Sequence, residues 1–597
     1  MADKISLKQD RELSPKSALF VLFIFSLIVN LYLQLSNSLD ILATLSWPFS
    51  HFSAFFLSLT VVFVMAVLLF AFFKSLRISF LLVFLPLFLL ASTSLIKKQK
   101  LGQPLFFGDF HAAHETLHIV GPILRNSWGF LSLAVAGLLL LAWLAFKIPQ
   151  VRDYSAKKRI VSSFISVVFL LLILLANNPV HEFLFKKTFT IQNLNAEASL
   201  IEQGTLIHFF LQGTQGQLNI PIGYSDEFAK KLSETLRQLT TPTEFEKPDV
   251  FVVMSESLFD PLILKGIHWK TDPLAFTRSL AGTASFNIAV VPTFGGKTAN
   301  SEFEFLTSHS IRFLPEGTIP YKSLIPKNAS SLVKNFKENG YRTIAVHPFV
   351  PEFWNREQVY SSFGFDQFLS LSNFVEPQKR GQFVTDNALF GFLQKSLKNQ
   401  TGPEFYFIVT IQNHMPYDFD AFDMSNLLFD PEGLSDSEKV VLNSYSNLLV
   451  QSDAFHRNLV AFLQKRNRPT LLIIFGDHLP TLMNDFGVYK GRIVKSSTPQ
   501  EWTPEELLSI YTTPLVFWSN FQFPPEIEPL ALPLLGPRVL KKLGFPLTPY
   551  QNFLMQMSDQ LRIVHPLLPP PEEENVQRQL HDYRILQHAL MTGKLQY

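Results

Sequence analysis

The sequence predicts two bodies in one chain. A polytopic α-helical membrane domain of five spans is followed by an extracytoplasmic α/β domain with a largely parallel sheet. Three observations lead there. Apolar stretches crowd into the first third of the 597 residues, although the whole chain is 47% hydrophobic with 60 Phe. From residue 249 onward, short apolar strands alternate with helix-like stretches, the pattern of a parallel sheet. Five of those strands run into polar residues at their carboxyl ends, the edge where open α/β folds place their active sites.

The membrane domain is residues 1–176. A helix needs about 20 apolar residues to cross a bilayer, and spans are expected near 17–35, 52–73, 78–96, 128–146 and 160–176. The second runs from Phe52 to Phe73 without a charge. A cleaved signal peptide would account for the first segment alone and leave four unexplained. Basic residues set the orientation. With the amino terminus inside, the inner stretches hold Lys4, Lys8, Arg11, Lys16, Lys74, Arg77, Lys147, Arg152, Lys157, Lys158 and Arg159, eleven in all. The outer loops hold four: Lys97, Lys98, Lys100 and Arg125. Everything after residue 176 then lies outside the cytoplasm. The outer loop with His111, His114 and His118 reads as an interfacial helix in preference to a metal site.

Residues 177–248 read as a linker, with a boundary at Thr240-Thr-Pro-Thr-Glu-Phe-Glu-Lys-Pro248. The catalytic domain is placed at 249–530 and a Pro-rich, then helical, tail at 531–597. There are no cysteines, which excludes disulfides, zinc–thiolate sites and a Cys nucleophile. The net charge of +2 points to no polyanionic partner, and no nucleic acid is expected.

The strand endings supply the chemistry. Thr470–Phe475 closes on Gly476-Asp477-His478, which offers two metal ligands. Asp249–Met254 closes on Ser255-Glu256, and Phe286–Val291 runs into Pro-Thr-Phe-Gly-Gly-Lys-Thr298. Arg342–Val346 precedes His347, and Phe405–Ile411 precedes Asn413-His414. Two carboxylates, a hydroxyl and an imidazole are the inventory of a metal-assisted transfer enzyme with a hydroxyl nucleophile. Gly295-Gly-Lys-Thr298 is not a phosphate-binding P-loop, because that motif needs Gly where Val291 stands. Thr298 instead opens a helix, whose positive end favours an alkoxide and an anionic substrate. Taken alone it reads as the helix N-cap in preference to a nucleophile. Near His347, the run Trp354-Asn-Arg356 offers a guanidinium for a phosphate oxygen and an aromatic wall.

Five spans followed by Glu256, Gly296-Lys-Thr298, Trp354-Asn-Arg356, Asn413-His414-Met-Pro-Tyr417 and Gly476-Asp-His478, in that order, resemble the lipoteichoic acid synthase and phosphoglycerol transferase family. That family lies in the sulfatase and alkaline phosphatase superfamily, so the resemblance implies a sulfatase-like domain. It implies that Glu256, Thr298, Asp477 and His478 hold one divalent metal, manganese foremost with magnesium as substitute, and that Thr298 is the nucleophile. It also implies that His347, Trp354, Arg356 and His414 surround glycerol phosphate. No Cys/Ser-x-Pro-x-Arg motif of sulfatases proper occurs.

The expected function is a metal-dependent phosphotransferase in the bacterial cytoplasmic membrane. A phosphatidylglycerol-like lipid is the donor, and a glycan, glycolipid or teichoic acid chain is the acceptor. The alternatives are a phosphoethanolamine transferase of the same superfamily, and a catalytically silent membrane receptor for lipid or polymer.

Overall fold

The computed structural model describes residues 13–38, 40–101, 147, 151, 154–174, 196–214, 218, 220–237, 247–282, 286–315, 318–397, 402–417, 422–483, 486–497, 499–526 and 528–597. It divides into two compact units, residues 1–215 and 216–597.

In the first unit, helices α1 (Pro15–Ser38), α3 (Phe52–Phe73) and α4 (Leu76–Leu101) are long and apolar enough to cross a membrane. They correspond to the first three expected spans. The expected span at 128–146 lies outside the described residues, as does the triple-His loop. The fifth appears as α5 (Ala156–Leu174), 19 residues long, whose first turn carries Lys157, Lys158 and Arg159 and which for that charge is not among the helices apolar enough to cross a membrane. Five spans are therefore not established. The three long helices pack through Leu22, Phe25 and Val29 of α1, Val62, Ala66 and Phe70 of α3, and Val83, Phe84 and Leu87 of α4. Arg159 closes the end of α3 by donating to the carbonyls of Ala71 (2.7 Å) and Phe72 (2.8 Å), where a cation meets the negative end of the helix.

A short helix α2 (Ile41–Ser50) joins α1 to α3, and α6 (Ala196–Gln203) and α7 (Thr205–Thr214) follow α5. The expected linker thus contains ordered helices. Its break at Gly204 has a steric cause. The backbone is left-handed there (φ +74°), and a Cβ would lie 2.8 Å from the Trp47 ring. Backbone groups freed at such a break must find partners. Gln34 Nε2 donates to Ile201 O (2.7 Å), and Trp47 Nε1 donates to Glu202 O (3.0 Å).

Among the described residues the second unit has ten strands: β1 (Asp249–Ser255), β2 (Asn287–Val290), β3 (Arg342–Val346), β4 (Gln367–Leu369), β5 (Lys379–Arg380), β6 (Phe383–Val384), β7 (Glu404–Val409), β8 (Thr470–Gly476), β9 (Thr512–Ser519) and β10 (Leu530–Ala531). Eight form one sheet in the order β10-β2-β9-β8-β1-β7-β3-β4, and β5 pairs with β6. Every pairing in the large sheet is parallel except those of β9, which runs against both β2 and β8. The sheet is therefore mostly parallel, and β1, β2, β3, β7 and β8 all end at one edge. β1 and β8 are buried on both faces, which is why they read as unbroken apolar runs.

Helix α8 (Thr298–Thr307) follows β2, and every one of its residues is buried. The segment after β10 is part of this core. Helices α9 (Leu532–Lys542), α10 (Pro549–Ser558) and α11 (Glu574–Met591) contribute Leu535, Leu540, Leu554, Tyr583 and Leu586 to it. The loop that ends α8 is held by their polar tips. Tyr550 and Tyr583 both donate to Ser308 O, and Gln587 exchanges two bonds with Ser310.

Candidate active site

Glu256 leaves the end of β1, and Asp477 and His478 leave the end of the adjacent β8. The three side chains are buried, with a potential ligand atom from each within 4.8 Å of the others. Their neighbours fix which atoms remain open. Asp477 Oδ1 accepts the backbone N–H groups of Ser257 (2.7 Å) and His478 (2.9 Å), while Oδ2 is buried without a protein partner. His478 Nδ1 lies 2.9 Å from Leu479 O and so donates its proton there. That bond selects the tautomer with its lone pair on Nε2, 3.1 Å from Asp477 Oδ2 and 3.8 Å from Glu256 Oε1. Glu256 accepts from the Ser257 hydroxyl, and its own N–H donates to Thr410. Burial pushes the Glu256 carboxyl up to about 8, and the Asp477 carboxylate acts in the same direction. Two crowded carboxylates with an open oxygen and an aimed imidazole lone pair fit a divalent cation, whose charge would relieve their repulsion.

Thr298 is the first residue of α8 and is nearly buried. The cap position falls on Lys297, in left-handed conformation (φ 62°) and without a side-chain capping bond. N-capping therefore does not account for the Thr298 hydroxyl. Both flanks of Thr298 are tied to the Asp477–Leu479 segment. Gly295 N donates to Leu479 O (2.9 Å), and Ser301, one turn into the helix, donates to Asp477 O (2.6 Å). Gly295 suits that place, because its backbone is left-handed (φ +66°) and a Cβ would crowd the Thr481 hydroxyl.

The remaining expected residues form a second cluster. His347 follows β3, donates from Nδ1 to Val409 O (3.0 Å) and leaves Nε2 buried without a partner. Burial, reinforced by the charge of Arg356, holds this imidazole well below its ordinary range. His414 is half-buried beside Phe383, its Nδ1 bonded to Met415 O (2.8 Å), and burial lowers it too. Trp354 and Asn355 are both left-handed (φ 59° and 57°), and Lys322 sits over the Trp354 ring at 4.9 Å. Arg356 is 1% exposed, and its Nε and Nη2 both bond Glu302 Oε1 (2.9 and 2.7 Å).

Several supporting residues escaped sequence reasoning. Arg380 reaches back from β5 to the carbonyls of Gln412, His414 and Pro416 and pins the loop after β7. Asn413 bonds Ser452, which bonds Asp386. These partners lie 32 to 66 positions apart, and no local motif announces them. Glu302 alone carried a signal, as a carboxylate one turn after Thr298 in a buried helix.

A mostly parallel sheet with a dicarboxylate–histidine cluster and a hydroxyl at a helix start, all at one edge, defines a sulfatase-like α/β domain. Residues 248–534 match the family model described as Sulfatase, and the chain carries a domain of that family. Among curated proteins, one from Rhizobium meliloti (strain 1021), named for cyclic beta-1,2-glucan modification, is 33% identical over 406 residues. That match covers 66% of this chain and 62% of the relative. Lipoteichoic acid synthase of Staphylococcus aureus (strain USA300) is 23% identical over 294 residues, 47% of this chain and 44% of the relative. The chain thus spans less than two thirds of the length of either relative. Among solved structures, Streptococcus pyogenes phosphoglycerol transferase GacH in complex with sn-glycerol-1-phosphate aligns with TM-score 0.52 at 23% identity. It covers 62% of this chain and 95% of its own. The integral membrane lipooligosaccharide phosphoethanolamine transferase EptA of Neisseria meningitidis aligns with TM-score 0.53 at 14% identity, covering 89% and 96%. At these identities both structures speak to the fold.

Proposed function

We propose that the protein is a membrane-bound phosphoglycerol transferase that moves glycerol phosphate from a phosphatidylglycerol-like lipid to a glycan by way of a phosphorylated Thr298. The observation that carries this reading is the convergence of Glu256, Asp477 and His478, with Asp477 Oδ2 and His478 Nε2 left open. The segment carrying Asp477 and His478 is bonded to both flanks of Thr298. Glu256, Thr298, Asp477 and His478 would hold one divalent metal, manganese in preference to zinc because the set is rich in oxygen. When bound, such an ion supplies Lewis-acid charge at the phosphate.

The chain's own residues do the rest. Thr298 Oγ1 lies at the amino end of α8, where unpaired N–H groups and the helix dipole favour negative charge. Its oxygen attacks phosphorus, the bond to diacylglycerol breaks, and a phosphoglyceryl-threonine remains for an acceptor hydroxyl to attack. His347 is kept neutral and offers Nε2 as an acceptor for a glycerol hydroxyl. Trp354 forms a wall, and Arg356 brings positive charge toward the phosphate. A glucan is the favoured acceptor class, because the 33%-identical relative is named for glucan modification. The bacterial cytoplasmic membrane, with the catalytic unit outside, is the setting that the three apolar helices and the basic asymmetry support.

Ethanolamine phosphate fits less well. A primary ammonium wants a carboxylate or an aromatic cage. Glu302 is committed to Arg356, and Glu352, beside Trp354 in sequence, is exposed. The test is purified protein in detergent with manganese and fluorescent phosphatidylglycerol or phosphatidylethanolamine in parallel. Diacylglycerol release from the glycerol lipid is expected; equal or faster release from the ethanolamine lipid contradicts the headgroup assignment.

A further inference from the structure

Glu302 is fully buried four residues after Thr298, so it lies on the same side of α8 one turn further on. Its carboxylate is gripped from two points of one helix, α12 (Arg356–Phe363). Arg356 reaches Oε1 through Nε and Nη2, and the Tyr360 hydroxyl donates to Oε2 at 2.7 Å. Arg356 and Tyr360 are one turn apart, so the clamp locks α12 to the helix that begins with Thr298. Arg356 donates once more, from Nη1 to Phe353 O at a long 3.3 Å. A guanidinium carries five N–H groups; these bonds use three and leave two.

The chain reaches this arrangement through two consecutive left-handed residues, Trp354 and Asn355. Such conformations are strained and persist only where surrounding contacts over-determine them. Asn355 bonds Tyr321 O at 3.4 Å, a weak tether. The Glu302 clamp is the strongest contact fixing where Arg356 points.

We propose that Glu302 is a positioning residue for phosphate transfer. It acts through Arg356, holding one edge of the guanidinium so that the remaining N–H groups stay registered to Thr298. This rests on the phosphotransferase reading above and adds a residue to it. A buried ion pair stripped of one partner leaves an uncompensated charge, which is commonly strongly destabilising. Glu302→Gln alone is therefore not a sufficient test.

The experiment is a double-mutant cycle in full-length protein with Glu302→Gln, Arg356→Gln and the pair, each assayed below its own melting transition. Two substrates are used, fluorescent phosphatidylglycerol and bis(4-nitrophenyl) phosphate, a phosphodiester without glycerol. Stabilisation by orthophosphate, read as a melting shift, is measured on every variant. Glu302→Gln is expected to lower kcat/KM about tenfold or more in folded protein and to shrink the orthophosphate shift. In the pair, thermal stability should recover because no buried charge is left alone. Activity should stay at the level of Arg356→Gln, with no added loss from Glu302. A merely structural Glu302 predicts wild-type kcat/KM and an unchanged orthophosphate shift in folded Glu302→Gln, which overturns the proposal. Losses that add in the pair overturn it too. If wild type cleaves only the nitrophenyl ester, the headgroup assignment fails while the cycle is still read on that substrate. If it cleaves neither, the phosphotransferase reading fails and the orthophosphate shifts alone decide the positioning role.

Discussion

Both units bury polar side chains, but they use them differently. In the membrane unit Asn30, Gln34, Asn37 and Trp47 spend their donors on nearby groups. Asn30 donates to Phe55 O and accepts from Ser58, Asn37 donates to the Thr205 hydroxyl, and Gln34 and Trp47 serve the broken helix at Gly204. Gln34 Oε1 is left without a protein partner. In the second unit bare atoms occur at many places, and two of them, Asp477 Oδ2 and His347 Nε2, belong to ionisable groups that follow strands at one sheet edge, where the charge of Asp477 is felt at His414. Buried polar groups that bond one another hold a fold. Open ones on ionisable residues at the end of a parallel sheet, as in the Glu256–Asp477–His478 cluster, are candidates for holding a ligand.

The largest effect that would break this contrast is at Thr298. Thr298→Ala should melt within a few degrees of wild type and lose turnover by about three orders of magnitude or more. Normal diacylglycerol release by the variant would return Thr298 to a purely structural place.

Asp477→Asn is next. An amide keeps Oδ1 for the two backbone N–H groups it serves, so the loop should stay folded, while the anionic Oδ2 is gone. A loss of about 100-fold or more in turnover is expected, together with loss of the melting-temperature rise that manganese gives wild type. Retention of that rise would remove Asp477 from the ligand set.

Helix α8 offers a pH test of intermediate size. Glu304 is buried and accepts from Ser310 Oγ and Ile311 N, neutral donors only. Burial pushes its carboxyl up to about 8, from 4.5 in an ordinary setting. The folded state thus keeps a proton that the unfolded chain releases. Stability from this group is full below about pH 4.5, falls as pH rises and is gone above about 8. The slope approaches 1.4 kcal/mol per pH unit. Glu304→Gln keeps an acceptor oxygen and should flatten the fall of the melting temperature between pH 5 and 8. Parallel curves for the two proteins would contradict the burial argument.

The smallest effect lies in the membrane unit. Trp47→Phe removes the one bond to Glu202 O and should destabilise that unit by about 1 kcal/mol in detergent. Hydrolysis of a soluble phosphodiester should be untouched; if it falls with the melting temperature, the membrane unit's polar groups are not merely structural.

Most of the catalytic frame was legible in the sequence because strands buried on both faces are unbroken apolar runs. β1, β3 and β8 begin where the pattern placed them, and each polar ending lies at the expected edge. β9 was missed, since Pro514 interrupts a run that nonetheless pairs on both sides. The 196–214 segment read as a linker with a short amphipathic stretch at 199–211; its division into two helices at Gly204 was not legible, because the partners of that break lie more than 150 residues away. The segment after residue 531 showed no chemistry in sequence, yet Tyr550, Tyr583 and Gln587 hold the far end of the Thr298 helix. Long-range support of that kind leaves no local signature.

The central claim is that the Thr298 oxygen carries the transferred group. The most direct measurement quenches wild-type protein during turnover of phosphatidylglycerol and reads the mass of the peptide that spans residues 295–312. A phosphoglyceryl adduct localised to Thr298, absent when the acceptor is in excess and absent in Thr298→Ala, is the predicted result. Continued turnover with no adduct, or an adduct on another side chain, would contradict the account.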